Sequence, residues 1–75
     1  MARDKDPIRV FGDRIRQRRC HLGLSQEQLA EKSGFHRTYI GTIERGERNP
    51  ALRNIVRLAE ALSVDVGTLT QGLRS

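Results

Sequence analysis

Cys20 and His21 stand next to one another, a thiol and an imidazole of the types that form a nucleophile and its general base. Adjacent residues on a helix point about 100° apart, however, and no third group in the neighbourhood orients the imidazole. Nucleophilic catalysis is therefore not expected, and Cys20 reads as a half-buried structural thiol. It is the only cysteine, so an internal disulfide is excluded. No Cys/His group has the spacing of a zinc site, and neither a metal nor a cofactor is expected. Arg37, Thr38 and Thr42 offer a different chemistry. A planar guanidinium donates two parallel hydrogen bonds to guanine O6 and N7, and a threonine brings a hydroxyl and a methyl to a thymine methyl or a phosphate. Threonine is commonplace on exposed helices, so this chemistry requires that one rigid element present the three residues together.

The overall balance points to the same kind of partner. Fourteen Lys+Arg against nine Asp+Glu leave a net charge of +5, and the pI near 10.7 keeps that surplus at any physiological pH. A polyanion is the first partner to consider. Arginine outnumbers lysine twelve to two, which favours directed contacts over a diffuse cationic coat. Aromatic residues make up only 4%, too few for a platform on which single-stranded bases stack. Seventy-five residues make one compact module, too small for a second core or for an enzyme with a lid and a cofactor domain. No apolar run reaches the length of a membrane span, and the charged start Met1–Pro7 is unlike a signal peptide. A soluble, cytoplasmic chain with no membrane partner is expected.

The elements follow from spacing. Residues 1–7 carry charge and Pro7 without periodicity and read as a flexible arm, leaving residues 8–75 as a single domain. Ile8, Phe11, Ile15 and Leu22 recur at helical intervals, with Arg14, Arg16 and Arg18 as a solvated face and Gly23 as the stop. Steps of four from Phe11 through Ile15 bring Arg19 onto the inner face. Ser25-Gln26-Glu27-Gln28 is a capping box, so a second helix starts there and ends at Ser33-Gly34. A third helix runs from about His36 to Arg45, with His36 at its start, Ile40 and Ile43 inward and Gly46 as its stop. After Asn49-Pro50 a fourth carries Leu52, Ile55, Val56, Ala59 and Leu62 on one stripe. A short fifth, with Val66, Leu69 and Leu73, follows Ser63 and Asp65. The expected class is all-α with five helices. Its second and third are joined by a glycine turn, which gives a helix-turn-helix over about 26–45.

Glu44, like Arg19, falls beside the apolar stripe of its own helix. An unpaired charge there is costly, so the two are expected to form a structural ion pair. On a third helix lying in the major groove, Arg37, Thr38 and Thr42 face base edges, and Gly41 lets the helix sit deep. Gln26, at the amino end of the second helix, suits a phosphate. Tyr39, Arg45, Arg48 and Asn49 surround the far end of the third helix as further phosphate contacts, although Tyr39 fits the core equally well.

The run Leu24-Ser25-Gln26-Glu27-Gln28-Leu29-Ala30, then Ser33-Gly34, then Tyr39-Ile40-Gly41-Thr42-Ile43-Glu44-Arg45-Gly46 with Asn49-Pro50 after it, resembles the Xre-like family of regulators, which have the lambda-repressor-like fold. The resemblance covers residues 8–73. Within the family, His36-Arg37-Thr38-Tyr39-Ile40 followed by Ile43-Glu44-Arg45-Gly46-Glu47-Arg48-Asn49 is most similar to the controller proteins of restriction–modification systems. It implies a homodimer on a two-fold-related double-stranded DNA operator, base contacts from the start and middle of the third helix, and the Arg19–Glu44 pair beneath it. RNA polymerase is a further partner where operator position permits. One short helix reads few base pairs, which is the physical motive for dimerisation, and Val64, Val66, Leu69 and Leu73 are the apolar residues assigned to that interface. The competing readings are an antitoxin or adaptor whose main contact is a protein, and an RNA or nonspecific nucleic-acid binder.

Overall fold

The computed structural model describes residues 6–74. Five helices follow one another, α1 (Pro7–His21), α2 (Gln26–Ser33), α3 (Arg37–Glu44), α4 (Leu52–Ala61) and α5 (Val66–Thr70), with no strand among the described residues. Residues 1–5 of the expected arm lie outside the described residues. Asp6 and Pro7 do not belong to an arm: Pro7 opens α1, where its missing N–H costs nothing, and the Asp6 carboxylate accepts from the Ile8 N–H at 3.0 Å. The Ser25 capping box is complete, with Ser25 Oγ accepting from Gln28 N at 3.0 Å and Gln28 Oε1 accepting from Ser25 N at 2.8 Å. The turn from α2 to α3 passes through Gly34 at φ +79°, a left-handed conformation that strains any residue with a Cβ.

The core lies among the five helices, with α3 packed on α1 and α2, and α4 on α2 and α5, which also meets α1. Ile15, Leu29, Ile40, Ile43, Leu58, Leu62 and Leu69 have almost no exposed surface, and Phe11 and Ala59 complete the centre. Leu22 is exposed, because it caps α1 after its last turn rather than continuing the inner face. Of the stripe expected on α4, Ala59 and Leu62 are buried and Ile55 packs against the core, but Leu58 and Ala61 join them, while Leu52 is 69% and Val56 37% exposed. Cys20 is exposed and not half-buried, since the inner face of α1 passes through Phe11, Gly12 and Ile15.

Three arginines close helix ends. A helix leaves its last carbonyls without partners, and a guanidinium reaching from a neighbouring helix satisfies them. Arg14 Nη1 donates to the carbonyls of Leu69 at 3.2 Å and Gln71 at 2.7 Å, at the end of α5. Arg18 Nε donates to Leu62 O at 3.1 Å after α4, and Arg57 Nη2 to Ser33 O at 2.9 Å at the end of α2. Arg14 and Arg18 are thus struts from α1 to α5 and α4 rather than a solvated face. Arg16 fits the expectation, exposed and 3.7 Å from Asp13.

Candidate nucleic-acid interface

The rigidity of α3 comes from beneath. Gly12 of α1 lies against the last turn of α3: a Cβ built there would overlap the Ile43 carbonyl oxygen and come within 3.1 Å of that of Glu44. Two backbones therefore meet where only a glycine fits. Next to this crossing the Glu44 side chain, 2% exposed, accepts from Arg19 Nε at 2.7 Å and Nη2 at 3.0 Å in a two-pronged pair. Arg19 Nη1 also donates to Leu24 O at 2.9 Å, and Gln26 Nε2 adds a donor to Glu44 Oε1 at 3.0 Å. The hydrogen bond to Glu44 raises the Arg19 pKa above its ordinary value, outweighing the opposing effect of burial. The expected ion pair is present, and Gln26 is drawn into it. It joins α1, the start of α2 and the end of α3 into one block.

On the outer side of that block, Arg37 and Thr38 are exposed in the first turn of α3. His36 is the N-cap, its Nδ1 accepting from Thr38 N at 3.4 Å, as its place at the helix start implies. Thr42 is half-buried and its Oγ1 donates to Tyr39 O at 2.8 Å, so its hydroxyl keeps only acceptor capacity beside the methyl. The space over Gly41 is occupied: Arg45 Nη1 lies 3.2 Å, and Gln26 Oε1 3.9 Å, from where a Cβ would stand. Gly41 therefore admits the Arg45 side chain, which folds back over α3, and is not an empty slot. The exposed Arg45 also pairs with Glu47, Nε to Oε2 at 3.1 Å.

Tyr39 is half-buried and packs against the core. Its ring meets Phe35 edge-on at 5.0 Å between centroids, the exposed Arg48 guanidinium lies 5.7 Å from its centroid, and its hydroxyl accepts from Asn54 Nδ2 at 3.0 Å. Asn49 is exposed in the same loop. Gln26 and Arg45 thus meet over Gly41 with Glu47 beside Arg45, Tyr39, Arg48 and Asn54 form a second group, and Arg37 and Thr38 stand exposed at the start of α3. Glu47, Asn54 and Arg57 escaped sequence reasoning. Glu47 and Asn54 are polar residues with no periodic signature, whereas the arginine excess could have suggested carbonyl caps like Arg57.

The residues assigned to self-association divide. Val64, Val66 and Leu73 are partly buried, but Leu69 is 1% exposed and belongs to the protomer's own core. The inward turn of α5 onto α1 and α4 consumes it, so it has no surface left to share.

Five helices, of which α2 and α3 are joined by a tight turn and packed against α1 and α4, define a helix-turn-helix domain. The helix-turn-helix family matches residues 15–69, and the chain belongs to that family. It is 48% identical over 68 residues to the control protein C.SmaI of Serratia marcescens, covering 88% of this chain and 81% of that protein. The crystal structure of the restriction-modification controller protein C.AhdI from Aeromonas hydrophila superposes with a TM-score of 0.81 at 48% identity, over 83% of this chain and 94% of that one. The P22 c2 repressor in complex with a synthetic operator superposes with a TM-score of 0.77 at 33% identity, over 84% and 96%.

Proposed function

We propose that this chain is a sequence-specific transcriptional regulator that binds double-stranded DNA as a homodimer, with α3 in the major groove, in the manner of a restriction–modification controller protein. The observation that carries the reading is the combination on α3 of an anchored inner side and a free outer one. Ile40, Ile43 and Glu44 are buried, while Arg37 and Thr38 in its first turn are exposed. Arg37 supplies the directional base contact, Thr38 and Thr42 the short-range ones, and Gln26, Tyr39, Arg45, Arg48 and Asn49 the backbone contacts. The likeness to controller proteins and to an operator-bound repressor supports the same assignment.

The copies meet through Val64, Val66 and Leu73 together with the exposed Leu52 and Val56 of α4. Leu52 and Val56 flank Ile55 on that helix, and Ile55 lines one apolar groove with Phe11 and Leu73. RNA polymerase is engaged where operator position brings the bound dimer beside it, and the chain works in the cytoplasm. Fluorescence anisotropy with labelled mixed-sequence duplex DNA, single-stranded DNA and hairpin RNA, titrated across salt, tests the reading. Tighter binding to the duplex, weakening linearly in log salt, is expected. Equal binding to all three would replace it with a nonspecific nucleic-acid binder, and no binding would replace it with a protein-interaction module.

A further inference from the structure

Tyr39 is the point where α4, which lies outside the helix-turn-helix, reaches the reading surface. A phenol carries one proton and two acceptor lone pairs. Here one lone pair takes the Asn54 Nδ2 hydrogen at 3.0 Å, and no hydrogen bond among the described residues uses the phenol's own proton. The ring cannot swing away freely, because it packs edge-to-face on Phe35 with centroids 5.0 Å apart, and Phe35 is covered in turn by the Arg57 guanidinium 4.2 Å from its centroid. The exposed Arg48 guanidinium lies 5.7 Å from the centroid of the Tyr39 ring and brings a positive charge to that side chain. A phenol that accepts a hydrogen bond is polarised toward donating one, and the cation beside it favours an anionic acceptor.

The geometry points to Asn54 as a positioning residue that fixes the Tyr39 hydroxyl as a hydrogen-bond donor to a DNA phosphate. This rests on the DNA-binding reading above and adds to it a residue of α4 that touches no base. Asn54 does not contribute charge and does not choose sequence. It sets which way the phenol proton points, while Arg48 supplies the electrostatic attraction. Because α4 also carries the exposed Leu52 and Val56, the element that holds Tyr39 is the one proposed to meet the second copy.

The test is a double-mutant cycle on duplex binding with Asn54→Ala, Tyr39→Phe and the pair, using a mixed-sequence duplex and anisotropy. Each single variant is expected to weaken binding about three- to tenfold, the scale of one hydrogen bond to a charged group, and the double variant no more than the Tyr39→Phe chain. Asn54→Asp, which can only accept and so captures the phenol proton, is expected to bind more weakly than Asn54→Ala. The salt slope should stay unchanged in Asn54→Ala, Tyr39→Phe and the pair, since none of them alters the charge, whereas Arg48→Ala should lower it by about one unit. Tyr39 is the only tyrosine and there is no tryptophan, so loss of tyrosine near-ultraviolet circular dichroism in Asn54→Ala would report release of that ring. Wild-type affinity in Asn54→Ala, with or without a lowered melting temperature, overturns the proposal, as do losses that simply multiply in the pair. Failure of the wild-type chain to bind any duplex would refute the DNA-binding reading itself, and this inference with it.

Discussion

Replacing Gly12 by alanine sets two physical effects against each other. In a solvent-facing helix the change is favourable, because alanine loses less backbone entropy and is preferred by about 1 kcal/mol. At Gly12 the added methyl overlaps the Ile43 carbonyl oxygen and lies 3.1 Å from the Glu44 oxygen and 3.2 Å from its carbonyl carbon. These are backbone atoms of α3, so no side-chain rotation relieves the contact, and the two helices must separate. Overpacking of this kind costs about 1–3 kcal/mol, with a backbone neighbour at the upper end. After the gain in helix propensity, a net loss of about 2 kcal/mol remains. For a domain of this size that lowers the melting temperature by about 8–16 °C. Gly67 in α5 has nothing within 4 Å of its missing Cβ, and the same substitution there should stabilise by about 0.5–1 kcal/mol. Thermal unfolding of both variants followed by far-ultraviolet circular dichroism makes the comparison. A melting temperature for Gly12→Ala equal to or above that of the wild type would refute the close crossing of α1 and α3.

The Arg19–Glu44 pair gives a second expectation: Glu44→Leu should cost about 2–3 kcal/mol by leaving a partly buried guanidinium without its counter-charge, and the double variant Arg19→Leu/Glu44→Leu should recover much of that loss in denaturant unfolding. Because the Arg19 pKa is raised, its contribution is complete below the unfolded-state value and fades only as pH rises through the folded one, so this pair leaves stability flat from neutral to mildly alkaline pH. On DNA, Arg37→Ala should relax selectivity at one position of each half-site by about 1–3 kcal/mol, while Arg48→Ala should weaken every sequence alike and lower the salt slope, both read by binding titrations. Leu52→Asp should shift sedimentation velocity toward a monomer that keeps its helical far-ultraviolet circular dichroism, since Leu52 is 69% exposed in the single chain.

Much of this molecule is legible in its sequence because short helices announce themselves by local chemistry. The Ser25 capping box, the left-handed Gly34 and the inward Ile40 and Ile43 each act within a few residues, and each stands where spacing puts it. The Arg19–Glu44 pair was legible for a related reason: a charge on an apolar stripe requires a partner of opposite sign. Contacts that depend on how helices cross were not legible. Leu52 and Leu58 are identical in type, and only the rotation of α4 against the core exposes one and buries the other. Arg14 and Arg18 resemble any solvated arginines until the ends of α5 and α4 arrive beside them. Gly12 in mid-helix was an available sign of close approach, since a glycine there is retained against its propensity cost.

The exposed first turn of α3 is proposed to read duplex sequence. Selection from a randomised duplex library at near-physiological salt is the decisive test, because affinity, specificity and symmetry are read together. An inverted repeat with half-sites about ten base pairs apart should be enriched, and one base preference per half-site should be lost when the selection is repeated with Arg37→Ala. Absence of enrichment from a folded, helical protein, or an unchanged motif with Arg37→Ala, would contradict that reading.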